Sequence, residues 1–393
     1  MKVLIFNQYS LIGGGVNSVA GTHIKVLRTA GVDVKEFAYH NSNFVKRSSL
    51  EKISDLTAVL RKQFCLNKFQ EVINSFKPGI IHFHNIHSFF SAPLWDLIDP
   101  GGGKIIQHLH GYYPFCLDGT LFRNGEICLN CLDENSFLSG VKYSCYDNSK
   151  LKSVFGYLTR PSPGEFVKKS QSCHKFISVS DFTKSVFVNR GIEESKIVTI
   201  PNPCSFQSTN TSIKSGKYFL FIGALDKIKG LKIIPELALK MPGEKFVIAG
   251  EGKLKEFLKN ASLKIHNLEV KDYVSGNNKA GLIANCKAFL LTSIWWEPAP
   301  VSILEAFSFG KPVIASNTGG LPELISEGAT GHLFQSGSVD SIISKIKLLN
   351  DNLASNSAYY NNNCLAKASR HTEEAFLQNL LIVYKELMGN NGK

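Results

Sequence analysis

The sequence predicts an α/β chain with two parallel sheets in series, and three observations carry that prediction. Short apolar runs recur between amphipathic stretches, as βαβ units require. The pattern stops at Pro201-Asn202-Pro203 and the polar stretch Ser205 to Lys217, then restarts. With 393 residues and 44% hydrophobic content, the chain can bury two cores of ordinary size.

In chain order, the first set of strands is expected at Lys2 to Phe6, Val32 to Phe37, Ile80 to Phe83, Lys104 to Gln107, Phe176 to Val179 and Ile197 to Ile200. The second set is expected at Tyr218 to Ile222, Phe246 to Ala249, Leu268 to Val270, Ala288 to Leu291 and Pro312 to Ala315. The Ser, Thr, Asn and Lys residues between the sets bury little surface, so the junction belongs there. The expected domains are 1–203, with a cysteine-containing insertion at about 112–148, and 204–371. Residues 372–393 should form a helix packing back across the junction, because Ala375, Phe376, Leu380, Leu381 and Tyr384 recur at helical spacing. Asn361-Asn362-Asn363 reads as a polar turn. Open parallel sheets bind ligands at the carboxyl ends of their strands, which predicts a cleft between the domains.

A formal charge of +12 favours a polyanionic partner: nucleic acid, an anionic membrane surface or a phosphate-bearing substrate. Paired-histidine fingers, an aromatic RNA-binding signature and long Lys/Arg runs are all missing, so no nucleic-acid partner is expected. The apolar run after Met1-Lys2 is too short and too early for a signal peptide, and no apolar stretch reaches eighteen residues. A cytoplasmic protein is expected, with its nine cysteines reduced.

After the first strand, Gly13-Gly14-Gly15 would let backbone amides approach an anion at a helix N-terminus. The dinucleotide fingerprint fails there because Ser18 stands at the third glycine position; a plain tight turn is the other reading. Cys116, Cys128, Cys131 and Cys145 include a C-x2-C pair and could close a tetrahedral structural zinc site, or remain four thiols. His82 and His84 alternate on a strand and read as structural. From Phe44 to Lys68, apolar and basic residues mix in a pattern suited to an anionic bilayer or to a core helix with a solvated basic face.

The segment from Leu290 to Gly331, LLTSIWWEPAPVSILEAFSFGKPVIASNTGGLPELISEGATG, resembles family 4 glycosyltransferases. Its E-x7-E element places Glu297 in a loop and Glu305 one turn into the following helix. Phe221 to Gly230 is similar to the family's phosphate-binding loop, with Lys229 at the family lysine, Ala224 where an arginine is usual, and Lys227 as its candidate substitute. His108-Leu109-His110-Gly111 resembles the strand end that carries the histidine facing the donor sugar. Ile177 to Ser180 and Ile200 to Pro203 are similar to the family's late strand and crossover.

The resemblance implies the GT-B architecture, two facing Rossmann-like domains, and retaining transfer from a UDP- or GDP-linked sugar with no cofactor required for catalysis. It assigns His110, Glu297 and Lys229 to catalysis. Gly14, Gly15, Gly223, Lys227, Lys229, Ala299, Pro300, Val301, Ser302 and Glu305 would bind the donor, with Glu297 on sugar hydroxyls and Glu305 on the ribose. A carboxylate can accept two hydroxyl hydrogen bonds, and helix-start amides suit a diphosphate. The acceptor would be a saccharide or lipid-linked saccharide of surface-polysaccharide or O-antigen assembly, met at the inner face of the membrane. A sugar-nucleotide epimerase and a non-catalytic sugar-nucleotide-binding protein are the alternatives.

Overall fold

The structure is a computed structural model and describes residues 1–9, 15–40, 55–84, 92–98, 102–204 and 216–389, with Tyr9, Tyr39, His40, residues 55–63, Ala92, Pro93 and Leu97 described through their backbone alone. The chain divides into two compact units, one of Met1–Arg123, Cys128–Pro201 and Phe376–Lys393, the other of Asn124–Ile127 and Asn202–Ala375.

In the first unit, six strands form an all-parallel sheet: β1 (Lys2–Tyr9), β2 (Asp33–His40), β3 (Ile80–Phe83), β4 (Lys104–Leu109), β7 (Lys175–Ser178) and β8 (Ile197–Thr199). They lie in the order β2-β1-β3-β4-β7-β8. In register, Ile5 pairs with His82 and His82 with Ile106. All four residues of β3 are buried, as expected of a strand covered on both faces. Helices α1 (Gly15–Thr29) and α2 (Asp55–Phe76) follow β1 and β2. On α2, Cys65, Phe69 and Ile73 recur every fourth residue and are buried, and Phe69 meets Phe6, Phe37 and Phe83 with ring centroids 5.3–5.8 Å apart. Between β4 and β7 come the short strands β5 (Phe122–Arg123) and β6 (Glu126–Ile127). Helices α3 (Asn130–Asp133), α4 (Leu138–Lys142), α5 (Lys150–Thr159) and α6 (Pro163–Lys169) complete this stretch, and α7 (Asp181–Val188) follows β7.

The second unit repeats the plan with β9 (Phe219–Ile222), β10 (Phe246–Ala249), β11 (Leu268–Lys271), β12 (Ala288–Leu291), β13 (Val313–Ser316) and β14 (Gly331–Phe334). Their order is β11-β10-β9-β12-β13-β14, all parallel, with the reversal beside β9 that marks a doubly wound sheet. Its helices are α8 (Ile234–Lys240), α9 (Lys255–Ser262), α10 (Gly276–Asn285), α11 (Val301–Ser308), α12 (Leu321–Leu324) and α13 (Val339–Ala368). The last helix, α14 (Glu373–Leu387), buries Phe376, Leu380, Val383 and Tyr384.

Each of the eleven runs read as strands is a strand. Two readings change. β14 was not expected, because Gly331 and His332 interrupt its apolar run. Asn361-Asn362-Asn363 is not a turn but lies inside α13, which bends instead at Asn356 (φ −153°, ψ 64°). Buried Tyr360 and Cys364 flank the three asparagines and anchor that half of the helix.

Candidate functional site

In the second unit, two loops at the carboxyl ends of neighbouring strands β9 and β12 are tied together. The chain leaves β9 through half-buried Gly223 and exposed Ala224, and Asp226 accepts from the Lys227 amide (2.6 Å) to start a single turn, Lys227–Lys229. Thr292 Oγ1 donates to the Lys229 carbonyl (2.7 Å), and the Ile294 amide donates to Ile228 (2.9 Å). Gly230 makes this approach feasible. It sits at φ +67°, where a Cβ would stand 1.9 Å from the Thr292 carbonyl oxygen.

Glu297 is 3% exposed, and its carboxylate is held by an ion pair from Lys229 Nζ to Oε1 and by Ser293 Oγ, which donates to the same oxygen at 2.5 Å. A buried carboxylate requires such partners. Lys229 also lies over the Trp295 ring, 5.5 Å from its centroid. The Gly320 amide donates to the Glu297 carbonyl (2.7 Å), and Gly319, at φ +60°, leaves room where a Cβ would strike that carbonyl at 2.4 Å.

Glu305, on α11, is also buried and pairs with Lys279 of α10 at 2.5 Å. Asn202 Nδ2 donates to the Ala299 carbonyl (2.8 Å) just ahead of α11. Pro300 is the residue before the helix and offers no side-chain cap. It also has no amide proton, so of Ala299, Pro300, Val301 and Ser302 only the other three can donate to an anion. The structure thus brings Lys229 and Glu297 into contact and places Glu305 on the adjoining helix. Lys227 stands apart, exposed to solvent. Lys279, Ser293, Asn202 and Gly319 were not picked out from the sequence.

In the first unit, Gly15 opens α1, and Gly14 lies outside the described residues. His110 follows β4 and belongs to a group of five histidines. His23 Nδ1 is hydrogen-bonded to His84 Nε2 (2.6 Å), and His84 Nδ1 to His110 Nε2 (3.0 Å). The Tyr384 hydroxyl is hydrogen-bonded to both His23 Nε2 and His82 Nδ1, each at 2.8 Å. His108 stacks between His84 and His110, with centroids 4.8 and 4.3 Å away. His82 and His84 stack at 4.9 Å on one side of the sheet, as strand alternation predicts. Burial pushes His110 down to about 3, and burial with the neighbouring His110 does the same to His23. His110 is therefore a neutral ring at ordinary pH, able to donate or accept a hydrogen bond but not to carry charge.

Cys116, Cys128, Cys131 and Cys145 line one cavity with Asp118, Arg123 and Tyr143. None forms a disulfide. Burial raises the Cys116 thiol and pushes Cys131 up to about 12 and Cys145 up to about 11. Among the described residues, the groups whose ligand atoms all lie within 4.8 Å of one another are His23, His82 and His84, and His84, His108 and His110; no cysteine belongs to either.

Residues 13–207 match the family model "Glycosyltransferase Family 4", and residues 206–363 match "Glycosyl transferases group 1". An "Uncharacterized glycosyltransferase" of Haemophilus influenzae is 24% identical over 46% of this chain and 53% of its own length. An Escherichia coli "UDP-Gal:alpha-D-GlcNAc-diphosphoundecaprenol alpha-1,3-galactosyltransferase" is 28% identical over 46% of this chain and 48% of its own. These matches span about half the length of either relative. The structure of the "lipopolysaccharide outer core galactosyltransferase WaaB apo form" superposes with a TM-score of 0.66 at 18% identity, covering 98% of this chain and all of that one. That likeness establishes the fold. Two adjoining family models, two parallel six-stranded sheets and the Glu297–Glu305 element agree: the chain belongs to the family 4 glycosyltransferases of GT-B fold.

Proposed function

We propose that the protein is a retaining glycosyltransferase that moves a sugar from a UDP- or GDP-linked donor to a saccharide or lipid-linked saccharide during surface-polysaccharide assembly. The observation that carries this reading is the buried Glu297 carboxylate, held by Lys229 and Ser293 at the mouth of α11. Both partners engage Oε1, so Oε2 is the oxygen suited to sugar hydroxyls. Glu305 would take the ribose hydroxyls, and Lys279 holds that carboxylate in place.

No arginine stands at Ala224, so charge developing on the departing nucleotide would be met by Lys229, by the Ala299, Val301 and Ser302 amides and by the positive end of α11. Gly223 lets the donor approach the backbone, and Lys227 can swing in from solvent. On this reading His110 is a neutral hydrogen-bonding partner of the donor sugar, and the donor's own phosphate oxygen assists deprotonation of the acceptor. The E. coli relative acts, by its name, on a diphosphoundecaprenol-linked acceptor from a UDP-linked sugar, which supports a similar pair here. The net charge of +12 suits such an acceptor and the anionic surface that carries it.

The test incubates the protein with a panel of UDP- and GDP-sugars, with and without lipid extract, and follows nucleotide diphosphate release and product. Transfer requires release that depends on the acceptor. An epimerised sugar nucleotide, or binding with no turnover in the presence of every acceptor, would overturn the proposal.

A further inference from the structure

Five of the eleven histidines meet in one place in the first unit, and the function proposed above uses only one of them. Three imidazoles this close suggest a bound metal ion, but the hydrogen bonds exclude it. His23 spends Nδ1 on His84 and Nε2 on Tyr384; His84 spends Nε2 on His23 and Nδ1 on His110. Neither ring has a lone pair left over for an ion. Two nitrogens on one tetrahedral zinc also stand roughly 3.3 Å apart, whereas these lie at 2.6 and 3.0 Å.

The same bonds form a continuous chain: Tyr384 OH, His23, His84, His110. A neutral imidazole carries one N–H, so each ring accepts on one side and donates on the other. The whole chain therefore has a single direction, and reversing it moves the proton on every ring. What fixes the direction is His82. Its Nδ1 shares the Tyr384 hydroxyl, and its Nε2 is buried with no partner. If Tyr384 donated to His82, Nε2 would carry an unbonded buried N–H. If His82 donates to Tyr384, Nε2 keeps only an unused lone pair. Buried orphan donors are the rarer and costlier of the two. Accepting from both rings would leave the buried Tyr384 O–H without an acceptor, so Tyr384 donates to His23, His23 Nδ1–H to His84, and His84 Nδ1–H to His110 Nε2.

We propose that Tyr384, His23 and His84 form a one-way hydrogen-bond relay that fixes His110 with its proton on Nδ1. His110 then offers a donor, not a lone pair, from the ring edge turned away from His84. This rests on the reading of His110 as the residue that meets the donor sugar, and it deepens that reading: the ring serves a sugar oxygen as a hydrogen-bond donor and is no general base. The burial that keeps the rings neutral supports it, since a charged ring would donate from both nitrogens and erase the direction. Tyr384, His23 and His84 are positioning residues.

The experiment uses the full-length protein labelled with 15N-histidine and reads ring-nitrogen shifts near pH 7.5 without substrate. His23, His82, His84 and His110 should all be neutral and protonated on Nδ1, opposite to the Nε2–H form that a free histidine side chain favours in water. Protonation of His84 or His110 on Nε2, or a mixture of the two forms, overturns the relay. So does a shift of the His23 and His84 nitrogens on adding one equivalent of Zn²⁺, which would show lone pairs available to an ion. His84→Phe cuts the chain and leaves His110 Nε2 without its donor; it should lower kcat about tenfold with donor KM little changed. Wild-type kcat in the folded variant also counts against the relay, and if the variant does not fold, the wild-type spectrum decides alone. Wild-type transfer by His110→Ala alongside the stated tautomers would strike the donor-site reading and leave the relay standing.

Discussion

Glu297 is a carboxylate removed from water and held by one ammonium and one hydroxyl, so removing its charge or its cation has an expected effect. Glu297→Gln keeps the shape and removes the charge; Lys229→Met removes the cation. Each should reduce sugar transfer by ~100-fold or more, measured as initial rates at saturating donor. Near-normal turnover in both would dismiss the site. Lys279→Ala should instead raise donor KM, because Lys279 reaches the donor only through Glu305. His108 offers a test in the other direction. It is buried, both its ring nitrogens lack partners, and it lies outside the relay. His108→Leu removes two unsatisfied atoms and should be neutral or stabilising by about 1 kcal/mol, read as the midpoint of denaturant unfolding. A loss of stability would show that stacking between His84 and His110 matters more than the orphaned nitrogens. At this scale the sequence was half legible. Lys229, Glu297 and Glu305 sit in a recognisable local pattern, while Lys279 lies 26 residues before Glu305 amid ordinary polar residues. Only the fold, which brings these two residues of α10 and α11 together, reveals the pair. The histidine chain was hidden for the same reason, since His23, His84, His110 and Tyr384 come from four distant segments.

Strands were the most legible elements, because a four-residue run buried on both faces has to be almost wholly apolar. β14 escaped that rule through its glycine and histidine, and the asparagines of α13 escaped it because helix propensity is weak beside the burial of Tyr360 and Cys364. Two elements carry proposals of their own. The stretch holding the four cysteines has a small apolar core, Leu117, Cys131 and Phe137 with Tyr146 against it; no three of its thiols lie within 4.8 Å of one another, so a structural zinc would have to draw them together. Purified protein is then expected to contain about one zinc per chain, and Cys128→Ser to lose the metal and become protease-sensitive between β4 and β7. Metal-free protein of full protease resistance would leave four reduced thiols, of which Cys131 is buried. Of the basic stretch Phe44 to Lys68, residues 44–54 lie outside the described residues. Within α2, Phe64 is 59% exposed, with the Lys68 ammonium 4.4 Å from its ring centroid, while Cys65 and Phe69 turn inward. That outer face suits an anionic bilayer, and no helix among the described residues is long and apolar enough to cross one. Co-sedimentation with anionic vesicles should fall as salt rises and be weaker with neutral vesicles. Equal binding to both kinds at low salt would mark the face as ordinary surface.

Across the whole molecule, the chain builds most of the first unit, passes at Pro201 into the second, and returns to the first at Phe376. The apolar spacing of the last segment was legible as a helix expected to pack back across the junction; the side chains it meets there were not, because a helical stripe names no partners. Phe376, Leu380, Val383 and Tyr384 are 0–3% exposed, and burying large side chains is worth about 2–5 kcal/mol each by the cost of deleting them. A chain ending after Thr372 should therefore lose the calorimetric transition of the first unit and keep that of the second, still raised by nucleotide diphosphate. Loss of both transitions together would show that the two units unfold as one. The same return has a consequence during synthesis. A ribosome releases the six strands of the first sheet early, yet the segment that covers the histidines emerges only after 174 further residues, 202 to 375, have been made. At about 5–20 residues per second that interval lasts roughly ten to thirty seconds. Throughout it the nascent amino-terminal half lacks Phe376, Leu380, Val383 and Tyr384, while the later half can close as soon as it is complete. The order of maturation is thus the reverse of the order of translation, and the surface those four side chains later cover is the place where a chaperone would find this polypeptide.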